Sequence, residues 1–249
     1  MEHKIIGTTM PVLEVSLQPD EVVVAEGGEL SWMTSTIELR TAAGGTAGAK
    51  GVFGAVKRAV AGGTLFMTEY RAVGGSGMVA FATKVPGHIK PLELDGSSQY
   101  MVHRGGYLCG LPSVTLEIGF QQKLGAGFFG GEGFILQRIS GTGSAWIELD
   151  GEVVEYDLPA GEVLKVHPGH VGLFDATVTF EIERVKGIKN MLFGADALFL
   201  AKLTGPGKVF LQTMPLSTLA AAIAQYLPRD TDGGGGGKIS LGGFSFGNS

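Results

Sequence analysis

The chain has 249 residues, 44% of them hydrophobic and 17% charged, with a formal net charge of −5. That balance supports a folded core and argues against a nucleic-acid binder, because Lys and Arg on phosphate supply most of such affinity. Cys109 is the only cysteine, which excludes an intrachain disulfide and a cysteine-built zinc cluster and fits a reducing compartment, the cytoplasm.

Glycine supplies 42 residues, well above the usual share of about 7%, and follows no Gly-X-Y period. Many tight turns in an all-β protein are the natural reading. The first residues, MEHKIIGTTMPVLEV, contain no long apolar h-region, so no signal peptide is expected. No run of about 18 apolar residues occurs, so a membrane is expected to be at most peripheral.

Along the chain, short apolar runs alternate with turn signals. EVVVA (21–25), GMVAFAT (77–83), SVTLEIGF (113–120), EGFILQRI (132–139), SAWIEL (144–149), ATVTFEIERV (176–185) and GKVFLQT (207–213) are rich in β-branched and aromatic residues. Gly, Pro, Asp or Ser bound them, as for strands. In the sixth, Val178, Phe180 and Ile182 alternate with Thr179, Glu181 and Glu183, which predicts one wet face. LDG at 94–96 and 149–151 is turn chemistry. Gly141-x-Gly143 and Gly205-x-Gly207 read as hairpin turns. STLAAAIAQYL (217–227) suits a helix with Ser217 as N-cap. GVFGAVKRAV (51–60) has Val52, Val56 and Val60 on one stripe and predicts a weaker helix. The tail from Gly233 is biased enough to read as flexible.

The chain repeats itself. FGGEGFILQRISGTGSAWI (129–147) lies over FGADALFLAKLTGPGKVFL (193–211) at an ungapped offset of 64. Leu94, His103, Gly105 and Thr115 meet Leu158, His167, Gly169 and Thr179 at the same offset. LQPDEVVVAEGGEL (17–30) lies over 94–108 at offset 77, and GGSGMVAF (74–81) over SGTGSAWI (140–147) at offset 66. The changed offset predicts an insertion of about eleven residues in the first copy, placed at 41–60. The expected organisation is a β-unit at 5–84, a second at 85–151, a third at 152–214, a helix at 215–229 and a flexible tail at 230–249. Three such units suggest packing about a pseudo-threefold axis.

KLGAGFFGGEGFILQRISGTGSAWIEL (123–149), LPAGEVLKVHPGHVGLFD (158–175), LTGPGKVFLQTMP (203–215) and VPGHIKPLELDG (85–96) resemble the prokaryotic branch of the family named altered inheritance of mitochondria twenty-four. The resemblance covers residues 5–227. It implies a TRAP-like fold, similar to the tryptophan-RNA-attenuation-protein β-roll: a short double-stranded β-helix in triplicate about a pseudo-threefold axis. It implies no activity. Mitochondrial members are linked to inner-membrane organisation and respiratory-complex assembly. This chain lacks an Arg-rich presequence, so that role is not carried over.

Several motifs suggest chemistry. Gly125-x-Gly127-x-x-Gly130 matches a dinucleotide fingerprint, which must follow a strand and open a helix. Here a strand follows it, and its repeat counterpart KNMLFG (189–194) keeps only the last glycine, so no cofactor is expected. His167 and His170 are the metal candidates, with His88 and His103 as further imidazoles. Pro168-Gly169 between the first two favours the plainer reading as turn residues. Cys109, in the apolar run GGYLCGLPS, reads as a buried small hydrophobe, and Ser76 as a turn serine rather than a nucleophile. Glu132, Glu148, Glu162 and Asp196 read as solvated β-surface. The insertion offers an interaction segment at Lys50, Phe53, Lys57 and Arg58.

Three functions remain. The first is a non-enzymatic β-scaffold that meets a protein partner, associates with itself, or touches a membrane periphery. The second is a small-ligand-binding β-roll with its site between units or along the threefold axis. The third is a cupin-like metal enzyme using His167 and His170.

Overall fold

The short apolar runs become strands, and most alternate inward and outward side chains with period two. In the computed structural model, residues 1–43, 66–122, 133–185, 199–224, 226, 239–241 and 244–246 are described. Among the described residues the fold is nearly all-β with one short α-helix near the C-terminal end.

The first stretch forms β1 (Glu2–Ile6), β2 (Val12–Leu17), β3 (Val22–Glu26), β4 (Trp32–Met33), β5 (Ile37–Ala43), β6 (Phe66–Ala72) and β7 (Gly77–Ala82). The second forms β8 (Gly87–Asp95), β9 (Tyr100–His103), β10 (Tyr107–Gly110), β11 (Val114–Gln122) and β12 (Phe134–Asp150). The third forms β13 (Val153–Leu158), β14 (Val163–Val166), a 3-10 turn (Pro168–His170), β15 (Val171–Asp175), β16 (Thr179–Arg184), β17 (Phe199–Thr204) and β18 (Gly207–Gln212). Helix α1 (Leu216–Ala224) follows, then β19 (Ile239–Leu241) and β20 (Phe244–Phe246).

One large sheet runs in the order β13-β18-β15-β9-β12-β10-β3-β6-β5, with β8 and β11 also paired to β12. A second sheet has the order β1-β2-β7-β4, and a third β14-β17-β16. The strand β2 shows why these residues fold so: Leu13, Val15 and Leu17 are fully buried while Ser16 faces solvent. Three apolar clusters fill the interior. One gathers Leu13, Tyr70, Phe81 and Trp146; the next Tyr107, Ile139, Ile147 and Phe210; the last Leu136, Val171, Phe174 and Leu203.

The strand β12 corrects the expected hairpin at Gly141-x-Gly143. It runs unbroken for 17 residues. Its first half pairs with β11 and β9, its second with β8 and β10. Gly141 and Gly143 have φ of +109° and +98°, values that glycine adopts without strain. They bend the strand from one set of partners to the other. At Gly205-x-Gly207 the chain does break, but β17 pairs with β14 and β16 while β18 pairs with β13 and β15. That too is no hairpin.

Pairing registers recur along the chain. Tyr107↔Ile147, Cys109↔Trp146 and Gly110↔Ala145 have counterparts in Val171↔Leu211, Leu173↔Phe210 and Phe174↔Val209, each with an irregularity after the first pair. Val102↔Gln137 and Met101↔Arg138 have counterparts in Val166↔Ala201 and Lys165↔Lys202. In the first stretch, Val24↔Glu69 corresponds to Met101↔Arg138 at offsets of 77 and 69, and Val15↔Val79 to Leu92↔Ala145 at 77 and 66. The extra residues are therefore divided: most precede Glu69, and three fall between Glu69 and Val79, where a loop separates β6 from β7. Most of the stretch 41–60, including its expected helix, lies outside the described residues.

Two expectations at the C-terminal end change. The helix starts at Leu216, so Ser217 is inside its first turn rather than at its cap. The tail expected to be flexible contains β19 and β20, an antiparallel pair with Leu241 opposite Phe244.

Candidate functional site: a roofed cavity beneath helix α1

Strand ends from all three stretches of the chain converge under α1. Glu29 follows β3, Lys84 follows β7, and His103 closes β9. Glu148 and Asp150 lie at the end of β12, and Gln212 at the end of β18. Together they line a cavity of about 800 Å³. Phe134, Ile135 and Val171 form apolar wall, while Leu216, Ala220 and Ala221 of α1 form the roof.

Charge is concentrated on one side. Lys84 Nζ lies 2.8 Å from Glu29 Oε2 and 3.5 Å from Glu148 Oε2. The Lys84 backbone N–H donates to Glu148 Oε1 at 2.6 Å. The Glu29 and Glu148 side chains are 7% and 2% exposed. Glu148 Oε2 is buried and receives no hydrogen bond. Burial pushes the Glu148 carboxyl above the usual range, although Lys84 pulls it back. Desolvation acts to lower Lys84, but its carboxylate partners outweigh that and hold it above the ordinary lysine value. Behind this cluster, Gln137 Nε2 donates to Glu26 Oε1 at 2.5 Å. Burial raises Glu26 as well.

The His103 ring Nε2 lies 3.0 Å from the Glu148 carbonyl oxygen. Burial lowers its pKa, against the nearby Asp150 charge. On the other side, the Asp150 N–H donates to Gln212 Oε1 at 3.0 Å, and Gln212 Nε2 to the Gly169 carbonyl at 3.1 Å. Asp150 Oδ2 accepts the Leu216 N–H at 3.2 Å. It thus satisfies one of the orphan donors at the start of α1. That helix has no buried residue; Leu216 is 51% and Ile223 48% exposed.

The expected site residues are dispersed. The His167 and His170 rings meet edge to face at 5.8 Å between centroids. His170 Nδ1 lies 2.8 Å from the Gln212 carbonyl oxygen, and His167 Nδ1 is buried without a hydrogen bond. Desolvation and then His170 lower the His167 pKa. Among the described residues, no group of three or more His, Cys, Asp or Glu could hold a metal ion. His88 is exposed, with Nδ1 2.9 Å from the Gly151 carbonyl oxygen. Cys109 is fully buried, and burial pushes its thiol well above the ordinary value. Ser76 Oγ donates to Gln18 Oε1 at 3.1 Å in the loop before β7. Glu162 is exposed. Glu148 corrects the reading as solvated surface, because the end of β12 is buried on both faces. Lys50, Phe53, Lys57, Arg58, Gly125, Gly127, Gly130, Glu132 and Asp196 lie outside the described residues, although the strand expected after the glycine motif is present as β12. Among the described residues, no helix is long and apolar enough to cross a membrane.

Sequence reasoning missed Glu29, Lys84, Asp150 and Gln212. One signal was present. Lys84 corresponds to Asp150 and Glu148 to Gln212 in the aligned stretches, so polar side chains recur at these two positions.

A model of the family described as Mitochondrial biogenesis AIM24 matches residues 3–214. The chain belongs to this family. An uncharacterised protein of Streptococcus pyogenes serotype M6 is 26% identical over 227 residues, covering 89% of each chain. A crystal structure of a Streptococcus pyogenes protein superposes with a TM-score of 0.69 at 20% identity, covering 91% of this chain and 99% of that one. The latter likeness is one of fold. The AIM24 membership and these relatives carry no stated activity.

Proposed function

We propose that this AIM24-family chain is three TRAP-like β-units and acts as a non-catalytic binding module. Its ligand is a small, mostly apolar molecule held in the cavity where the units meet. The recurring strand registers support the three-unit reading. The observation that carries the binding reading is the roof: α1 spans a cavity of about 800 Å³ with none of its residues buried. A nine-residue helix is marginal alone in water, and an occupant would bury its Leu216 and alanine face. Cavities of this size with apolar walls and few convergent polar groups suit small ligands. The polar end carries Glu29, Glu148 and Lys84, and Glu148 Oε2 is buried there without a hydrogen bond. A head bearing a positive charge or several N–H groups fits that end.

The test uses the purified full chain and three probes: Nile red, decylamine and decanoate. Saturable Nile red binding with slowed amide exchange at 216–224 is expected. Decylamine should displace the dye at concentrations at least about tenfold below decanoate, roughly the worth of one charge-assisted hydrogen bond. Ala221→Trp, which fills the roof, should abolish binding while leaving the circular dichroism spectrum unchanged. Absence of saturable binding together with unchanged exchange would remove the proposal.

The scaffold reading has its own support in exposed apolar strand edges.

A further inference from the structure

Two strand junctions join the three stretches of the chain. In one, β3 meets β10 with Ala25↔Cys109 and Val24↔Gly110. In the other, β9 meets β15 with Val102↔Leu173 and Met101↔Phe174. The second is the first displaced by 77 residues on one strand and 64 on the other. Both junctions are antiparallel, and both are buried: Cys109 and Leu173 are 0% exposed.

Each series of strands has one further member. After β3 and β9 comes β14, with Val166 and Lys165 at the matching positions. Before β10 and β15 comes β4, with Trp32 and Met33 there. Their inner pairings match the family of strands they belong to. The pairs Trp32↔Ala80 and Met33↔Val79 join β4 to β7 as Cys109↔Trp146 and Gly110↔Ala145 join β10 to β12. Likewise β14 pairs with β17 as β9 pairs with β12. What differs is the outer edge. Among the described residues, β4 has no strand partner besides β7, and β14 none besides β17. Trp32 is 46% exposed, Met33 37% and Val163 44%. On β4 apolar side chains stay wet at positions that are closed where the junction is made, whereas Val166 on β14 is buried.

We propose that a second copy of this chain closes the junction, β14 of one molecule pairing antiparallel with β4 of the next. Val166 then stands opposite Trp32 and Lys165 opposite Met33. The inference rests on the three-unit reading, since that reading makes the edges two halves of one junction. Such a contact is head-to-tail, with different surfaces on the two sides, so it builds a closed ring or an open filament. It is strand addition at a sheet edge. Lys165 is compatible with it, because its ammonium is held 2.8 Å from Glu183 on β16 of the same sheet.

The test pairs mass measurement with cross-linking on the full chain. Light scattering coupled to gel filtration should give multiples of the chain mass, and Trp32→Glu should return the protein to a single chain with unchanged circular dichroism. Lys165→Cys and Met33→Cys, made in separate molecules and mixed under mild oxidation, should form a mixed disulfide dimer. Directly opposite residues place their Cβ atoms about 5 Å apart, within disulfide reach. Neither variant alone should form that species. A single-chain mass up to the highest soluble concentration, with no mixed dimer, overturns the proposal. So does a disulfide within one chain of the double variant, which would mean that the molecule closes on itself. The underlying reading is tested separately, by superposing 87–150 on 153–212 in a crystal structure. Units that superpose in a protein that stays single remove the assembly alone; units that do not superpose remove both.

Discussion

Glu148 has one carboxylate oxygen on the Lys84 backbone and the other beside the Lys84 ammonium. Glu148→Ala leaves a buried N–H and part of an ammonium without a partner, at an expected cost of about 1–3 kcal/mol. Glu148→Gln keeps an oxygen for the N–H and is expected to cost less; denaturant titration at pH 7 checks the order. The pH dependence has a definite sign. Burial holds Glu26 and Glu148 above the ordinary carboxyl value of 4.5. As pH rises through the window above 4.5, the unfolded chain releases protons that the folded chain keeps, so these groups make stability fall with rising pH. His103 works in the other direction: its folded value lies below 6.5, so stability is lost as pH falls below 6.5. Glu148→Gln should flatten the first effect and leave the second, as read from unfolding midpoints at steps from pH 4.5 to 8. At this scale the sequence was least legible. Glu148 sits between Ile147 and Leu149, and alternation alone makes it the wet residue of the strand. The end of β12 is covered on both faces, and alternation does not report that.

Elements were read more easily than their joints. The expected alternation is present in part: Val178 just before β16 is buried, Phe180 and Ile182 are half-buried, and Thr179 and Glu181 are exposed, but Glu183, expected on the wet face, is half-buried too. The glycine pairs were read as hairpins because Gly-x-Gly is locally indistinguishable from a turn. What the glycines permit is a bend within one strand, and only the partners of β12 reveal it. A side chain at Gly141 would overlap the Ser113 carbonyl oxygen, and φ there is +109°. Gly141→Ala is therefore expected to cost about 2 kcal/mol or more; thermal unfolding would measure it. Helix α1 shows the same limit. Its alanine and leucine content was legible, but its N-terminal partner, Asp150, is far away in sequence. Asp150→Ala should loosen α1 by about 0.5–2 kcal/mol and speed amide exchange at 216–224, with little change in the β-strands. A variant whose β-strands also exchange faster would mean that Asp150 supports the sheet itself.

For the whole molecule, the all-β class was legible from glycine abundance and β-branched runs, because both express the same physical need for many turns and packed strands. The proposed division into units rests on matching offsets in the sequence, at which several described strand registers also recur. The cavity was not legible, since its residues come from strand ends that no local pattern connects. The two proposed contacts lie apart: Trp32, Met33 and Val166 do not line the cavity. Trp32→Glu should accordingly abolish assembly and leave the Nile red affinity within about twofold, as expected for separated sites. A large loss of dye binding in that variant would show that the roofed cavity depends on neighbouring molecules.

The 17-residue strand β12 also sets an order of events during synthesis. Among the described residues all of its strand partners, β8, β9, β10 and β11, precede it in the chain. A ribosome that has just released Asp150 has delivered everything that strand needs, and the chain folds from its N-terminal side as it emerges. At that moment the outer edge of β9 is still bare, because β15 has not been made. The growing chain thus passes through a stage that displays β9 in the place later taken by β14, and two nascent chains on one message would meet with that edge open.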